Sequence, residues 1–232
     1  MKLVMFDVDG TLTDTFSAED NGFVTAVRDV LGVDGINTDW TSYPHATLSS
    51  MLDEISRAKL GRAPFAEETR AVQARFVALL QAAVRRDAGA IRAIPGAASF
   101  VRLLLDAGYA VAIASGDWEL SARFKLTVAA IPVDGLPAVF ADSARTRTEI
   151  MQTSLQLADR HYGGGGFERV VYVGDGTWDI QATRVLGWPF AGIGSGARGA
   201  ALRSMGARHV FPDYTRPDDL IAAIESPGPP IA

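Results

Sequence analysis

Cysteine is absent from this 232-residue chain, and histidine occurs three times. Neither a disulfide nor a thiolate metal site can form, so any metal would need oxygen or histidine ligands, a donor set that suits hard cations such as Mg²⁺. Lysine is equally scarce: Lys2, Lys59 and Lys125 are all there are. Excess positive charge is missing too. The net charge is -5 and the pI about 5.2, which argues against a general polyanion-binding role and against nucleic acid as a structural partner, while leaving room for a local basic pocket. No apolar run approaches a membrane span, and Met1-Lys2 leads straight into a strand without room for a signal peptide. The expectation is a cytoplasmic protein with no membrane partner.

What is present begins with Leu3 to Thr15, Leu-Val-Met-Phe-Asp-Val-Asp-Gly-Thr-Leu-Thr-Asp-Thr. An apolar run ends abruptly in two carboxylates followed by glycine and threonine, as when a fully buried strand hands over to a functional loop. Strand alternation turns Asp7 and Asp9 the same way and Val8 into the protein, so one pocket receives both acids. Two crowded carboxylates repel unless a cation or a proton lies between them.

The chain is long enough for an α/β domain with a helical insertion, and two lobes are expected. From about Asp14 to Asp87 helical periodicity replaces the strand pattern. Ser17-Ala-Glu-Asp offers a capping start before Phe23, Val24, Val27, Val30 and Leu31, and Gly32 stops that helix. A second helix is expected around Leu48, Met51, Leu52 and Ile55, and a third after Pro64 through Val72, Phe76, Leu79, Leu80 and Val84. After Ile94-Pro95-Gly96 strands and helices alternate. Strands are expected at Tyr109 to Ala114, Ala138 to Phe140, Val170 to Val173, Phe190 to Ile193 and His209 to Phe211. The predicted fold is a Rossmann-like, doubly wound parallel α/β sheet carrying a helical cap. The expected domains are a core of residues 1–14 and 90–226, a cap of 15–89 and a flexible tail of 227–232.

In such sheets ligands bind at the carboxyl ends of the strands. The first strand delivers Asp7 and Asp9 there, the second ends in Ser115-Gly116, and the fourth in Gly174-Asp175-Gly-Thr-Trp-Asp179. A hydroxyl followed by glycine can offer a side-chain donor and a backbone N–H to a phosphate oxygen. Asp175 and Asp179, one helical turn apart, can face the same point and with Asp7 frame an oxygen-ligand Mg²⁺ site.

With these motifs the chain resembles the haloacid dehalogenase-like hydrolase superfamily, in particular its phosphoglycolate phosphatase-like members with a helical cap. Asp7-Val-Asp9-Gly10-Thr11 stands for the first motif, Ser115 for the second, and Gly174 to Asp179 for the fourth. The third motif normally offers a lysine, and none lies between the third and fourth strands. Ser143-Ala-Arg-Thr-Arg-Thr-Glu-Ile provides Arg147 instead, with Arg145 as the other candidate. Arginine keeps the charge and adds a planar fork suited to phosphate.

The resemblance implies a Mg²⁺-dependent phosphatase acting on a small-molecule phosphate ester. Asp7 is the implied nucleophile, forming an aspartyl-phosphate, and Asp9 the general acid and then base. The ion would be held by Asp7, Asp175 and the Asp9 carbonyl with Asp179 close by, while Gly10, Thr11, Ser115, Gly116 and Arg147 would bind the phosphoryl group. Asp14, Thr15, Asn21, Tyr43, His45 and Arg57 are candidate cap or cap-loop contacts, and Trp118 and Trp178 candidate pocket walls. A phosphosugar mutase would keep all of these motifs. A non-catalytic phosphometabolite-binding protein of this fold would usually have lost one of the four carboxylates.

Overall fold

The computed structural model describes residues 1–15 and 22–225. The expected capping start at Ser17 to Asp20, Asn21 and the tail 227–232 lie outside the described residues. Six strands form a parallel sheet: β1 (Lys2–Phe6), β4 (Ala110–Ala114), β5 (Ala138–Val139), β6 (Arg169–Gly174), β7 (Phe190–Ile193) and β8 (His209–Phe211), in the order β5-β4-β1-β6-β7-β8. Register pairs Leu3 with Ala110 on one side and with Val170 on the other. The centre of the sheet is therefore β1, and the chain order runs outward from it in both directions. That is where a doubly wound sheet opens its crevice.

Strand alternation divides the core in two. Leu3, Met5, Ala112 and Tyr172 face one apolar cluster, Val4, Phe6, Ile113 and Val173 the other. Helices α6 (Arg147–His161), α7 (Thr177–Leu186) and α8 (Gly196–Ser204) contribute Ile150, Ile180 and Leu202 to the first. Helices α4 (Ala97–Asp106), α5 (Glu119–Val128) and α9 (Pro217–Glu225) contribute Phe100, Leu126 and Leu220 to the second. A sheet covered on both faces needs apolar side chains at successive positions, which is why β1 reads as an unbroken run.

The helical insert carries α1 (Gly22–Leu31), a 3₁₀ turn at Trp40–Ser42, α2 (Leu48–Leu60) and α3 (Ala66–Arg86). Gly32 ends α1 at φ +66°, with its N–H donating to the Arg28 carbonyl. Thr47 caps α2 through Ser50 N–H, and Gly61 closes it in the left-handed conformation. Two short elements absent from the sequence reading, β2 (Thr13–Asp14) and β3 (Arg92–Ala93), pair antiparallel and bring the entry and exit of the insert together. Arg92 bonds Asp14 across that pair, so Asp14 braces the connection. Helix α9 was also not anticipated.

The insert sits on the core. Phe23, Val27, Met51, Phe76 and Leu80 share one apolar cluster with Leu3 and Met5 of β1. Polar ties cross the same junction: Leu48 N–H donates to Gly116 O at 2.8 Å, Thr47 Oγ1 to Arg145 O at 2.7 Å, and Gln73 Nε2 to Asp142 Oδ1 at 2.9 Å.

Candidate active site

The three central strands end side by side and hand their polar residues to one cavity of about 300 Å³. Asp7 extends the ladder one residue beyond β1 by donating its N–H to Val173 O at 3.0 Å. The chain then turns sharply, with the N–H groups of Leu12 and Thr13 both returning to Val8 O. Both Asp7 and Asp9 line the cavity, and Val8 is fully buried in the opposite core. Gly10 makes the turn at φ +71°, and a Cβ there would lie 2.0 Å from Asp175 Oδ2. Glycine is required because two loops meet at that point. Gly10 and Thr11, expected at the phosphate, are not among the cavity's lining residues. Both are buried, with Thr11 Oγ1 directed at Asp175 Oδ1 at 3.5 Å.

Ser115 and Gly116 follow β4 and line the cavity. A Cβ on Gly116 would come within 2.5 Å of Ala46 O and 3.0 Å of the Arg147 guanidinium, so the cap, this loop and α6 converge on it. Arg147 is the first residue of α6, whose start is set by a reciprocal cap: Thr146 Oγ1 accepts from Glu149 N–H, and Glu149 accepts from Thr146 N–H. This fixes the guanidinium over the carboxylates, Nη1 at 3.2 Å from Asp7 Oδ1 and Nε at 3.4 Å from Asp179 Oδ1. Arg145 turns outward to Asp53. Of the two candidates, Arg147 alone stands at the carboxylates.

Oxygens of Asp7, Asp175 and Asp179 lie within 4.8 Å of one another. Burial, reinforced by Asp179 and Asp7, pushes the Asp175 carboxyl well above the carboxylate range, against the pull of Arg198. Burial likewise raises Asp179 to about 7, with Arg147 pulling back and Asp7 adding repulsion. Burial also opposes the Arg147 cation, and Asp7 and Asp179 more than reverse it. Three acids against one buried arginine leave a shortage of positive charge. Asp179 Oδ2 accepts from Gly176 N–H at 3.0 Å, whereas its buried Oδ1 has no hydrogen-bond partner among the described residues. Hard oxygen donors, crowding and an unsatisfied oxygen are what a divalent cation would meet. The Asp9 side chain stands outside this group.

Asp9 is held by different contacts. Its Oδ1 accepts from Thr15 Oγ1 at 3.0 Å and more weakly from Thr13 Oγ1 at 3.4 Å, and its Oδ2 accepts from Lys125 Nζ at 2.9 Å. Lys125 is completely buried on α5, pairs also with Asp117 Oδ2 at 2.9 Å, and lies 5.4 Å from the Phe76 ring centroid. Burial raises Asp117 to about 6, Lys125 opposing and Asp9 adding to the rise. Neither Lys125 nor Asp117 was singled out in the sequence. The available signal was a lysine spaced with Ala122 and Leu126 on the buried face of an amphipathic helix, where a solvated cation is out of place.

The remaining candidates separate cleanly. Trp178 lines the cavity. Trp118 does not: it is buried between cap and core, tilted against Phe23 and edge-on to Phe76, with its Nε1 donating to Ser49 Oγ at 2.8 Å. Tyr43 donates its hydroxyl to Asn37 O, Arg57 bonds Asp53, and His45 is exposed. None of these three lines the cavity.

The comparisons with known proteins agree with this geometry. A search of curated protein sequences found no match. Among solved structures, CbbY from Rhodobacter sphaeroides in complex with phosphate is 20% identical with a TM-score of 0.72, covering 97% of this chain and 99% of that one. A hydrolase from Pseudomonas syringae is 20% identical with a TM-score of 0.69, at 97% and 98% coverage. A "predicted phosphoglycolate phosphatase" from Haemophilus somnus is 16% identical with a TM-score of 0.64, at 95% and 98% coverage. These likenesses establish the fold. The family profile described as haloacid dehalogenase-like hydrolase matches residues 1–187, so the chain, with its carboxylates gathered at the ends of β1 and β6, belongs to the haloacid dehalogenase-like hydrolases.

Proposed function

We propose that this hydrolase is a Mg²⁺-dependent phosphatase of small phosphate monoesters that works through a phosphorylated aspartate. The observation that carries the reading is Asp7, buried at the end of β1, with Arg147 at 3.2 Å and Asp175 and Asp179 close enough to share a cation. Phosphate bound to CbbY, a protein of the same fold, supports phosphate as the ligand class.

In this reading the substrate phosphoryl group lies against Ser115, Gly116 and Arg147. An Asp7 carboxylate oxygen forms a bond to phosphorus as the bond to the leaving oxygen breaks, and Asp9 delivers a proton to that oxygen. A water then attacks the same phosphorus, Asp9 takes its proton, and the Asp7–phosphorus bond breaks to release inorganic phosphate. Arg147 and the Ser115 hydroxyl stabilise the charge spread over the transferring group's equatorial oxygens. Asp7, Asp175 and the Asp9 carbonyl would hold Mg²⁺, with Asp179 beside them, and the chemistry such an ion supplies is neutralisation of the repulsion between carboxylate and phosphate dianion. Lys125, Thr13 and Thr15 fix the Asp9 carboxyl in place.

The test is release of phosphate from p-nitrophenyl phosphate with Mg²⁺, with excess EDTA, and by Asp7→Asn. Turnover is expected only for the native protein with Mg²⁺, because the near-isosteric amide cannot attack phosphorus. Full activity in EDTA would remove the metal from the reading, and an unchanged rate in Asp7→Asn would remove the nucleophile.

A further inference from the structure

The phosphate end of the cavity is polar, and the end from which a leaving group would extend is not. Cap residues Phe23, Trp40, Ala46, Leu48 and Met51 line it, and Trp178 and Leu202 join them from the core. Two of the polar side chains in the same lining are already engaged. Thr41 donates its hydroxyl to Asp39 at 2.6 Å, and Arg198 stands 3.7 Å from Asp175 Oδ2, beside the carboxylates. No lysine, arginine or histidine from the described part of the cap lines the cavity, and residues 16–21, Phe-Ser-Ala-Glu-Asp-Asn, contain none either.

Among the described residues a polyhydroxylated leaving group would lose its water to such a wall and find few partners for its hydroxyls, chiefly the unpartnered Trp178 Nε1, and a second phosphate would meet no cation there but Arg198, which stands beside Asp175. An apolar ring would instead be taken out of water against three aromatic residues and a methionine. The volume, about 300 Å³, lies at the small end of the roughly 300–1,000 Å³ typical of small-molecule sites. We infer that the preferred substrate is the monophosphate ester of an apolar alcohol of about one aromatic ring, and that Trp40, Leu48 and Met51 set this preference. The inference rests on the phosphatase reading for the position of the phosphate.

The experiment compares kcat/KM for benzyl phosphate, glycerol 1-phosphate and a hexose bisphosphate in Mg²⁺. Benzyl and glycerol phosphates both release primary alkoxides, so the comparison reports the pocket rather than bond reactivity. Benzyl phosphate is expected to lead by about tenfold or more, and Trp40→Ala to shrink that ratio several-fold while Trp40→Phe preserves most of it. Equal or inverted rates would overturn the inference while leaving the phosphatase reading intact.

A binding arm keeps the two separable if no ester turns over. Calorimetry with benzylphosphonate and with 2-hydroxyethylphosphonate is expected to show the former binding about tenfold tighter. Equal affinities would overturn the apolar preference, whatever the turnover.

Discussion

Lys125 is the side chain on which the candidate site depends without contacting the phosphate end. It joins the Asp9 carboxylate to the buried Asp117, whose other oxygen accepts from Trp118 N–H and Ser121 Oγ. Removing the cation takes a bond from Asp9 and leaves Asp117 buried without its counter-charge. Lys125→Met is expected to cost ~3 kcal/mol of stability. Adding Asp117→Asn should recover most of that loss, since Asn keeps an acceptor for both donors and carries no charge. The catalytic effect is a separate quantity. A loosened Asp9 matters most where the leaving group needs a proton, so kcat is expected to fall about 10- to 100-fold on an alkyl phosphate and about threefold or less on p-nitrophenyl phosphate. The double variant should regain stability and keep this leaving-group dependence. Equal losses on both esters would reduce Lys125 to a structural residue.

Among the elements, the helix starts do the positioning. The reciprocal cap at Thr146 and Glu149 aims Arg147 into the cavity, while α7 begins with Asp179 accepting from Gly176 N–H. In the cap, α3 begins with Glu68 accepting from Phe65 N–H at 2.8 Å and from both terminal nitrogens of Arg62. The Arg62 bonds, followed by the Phe65 N–H, lower the Glu68 pKa from 4.5 to about 2. A group whose folded value is depressed stabilises the fold above its unfolded value and loses that contribution as pH falls through the folded one. Glu68→Gln is therefore expected to lower the denaturation midpoint at pH 7, with the gap to the native protein closing between pH 4.5 and pH 2. A gap of the same size at both ends would assign the loss to something other than this carboxylate.

At the scale of the molecule, the cap and the core share an apolar cluster and cover the ends of β1, β4 and β6. Ser49 sits at the seam, donating its hydroxyl to Ala141 O and accepting from Trp118 Nε1. On the phosphatase reading, a site roofed in this way should admit a small ester and exclude a phosphate presented on a folded protein surface. The expected outcome is a kcat/KM for a folded phosphoprotein at least about a hundredfold below that for a small ester, since a phosphate kept from its seat forfeits the alignment that catalysis needs. A phosphoprotein with the higher value would mean that the roof does not cover the site in solution. Among the described residues no helix is long and apolar enough to cross a membrane.

Parallel-sheet topology explains how much could be read in advance. Once apolar runs are recognised as successive strands of one doubly wound sheet, their carboxyl ends must lie together, so Asp7, Ser115 and Asp175 could be assembled from chain position alone. Asp179 followed from helical spacing. These features are local in origin, and the sequence by itself determined them. Tertiary structure decided what depends on packing between distant segments. The choice of Arg147 over Arg145 was left open and fell to the tertiary structure, which turns Arg145 to Asp53 and Arg147 to Asp7. Lys125 reaches Asp9 across 116 positions of sequence, which no spacing rule anticipates. Trp118 and Trp178 both follow strand ends, yet the cap buries the first in its seam and leaves the second on the cavity wall. Gly10 and Thr11 are absent from the cavity lining because the loop after β6 packs against them, Asp175 lying where a Cβ on Gly10 would be and 3.5 Å from Thr11 Oγ1. The physical reason is the same in each case: periodicity tells a side chain which face it occupies, and only the assembled layers determine what stands opposite that face.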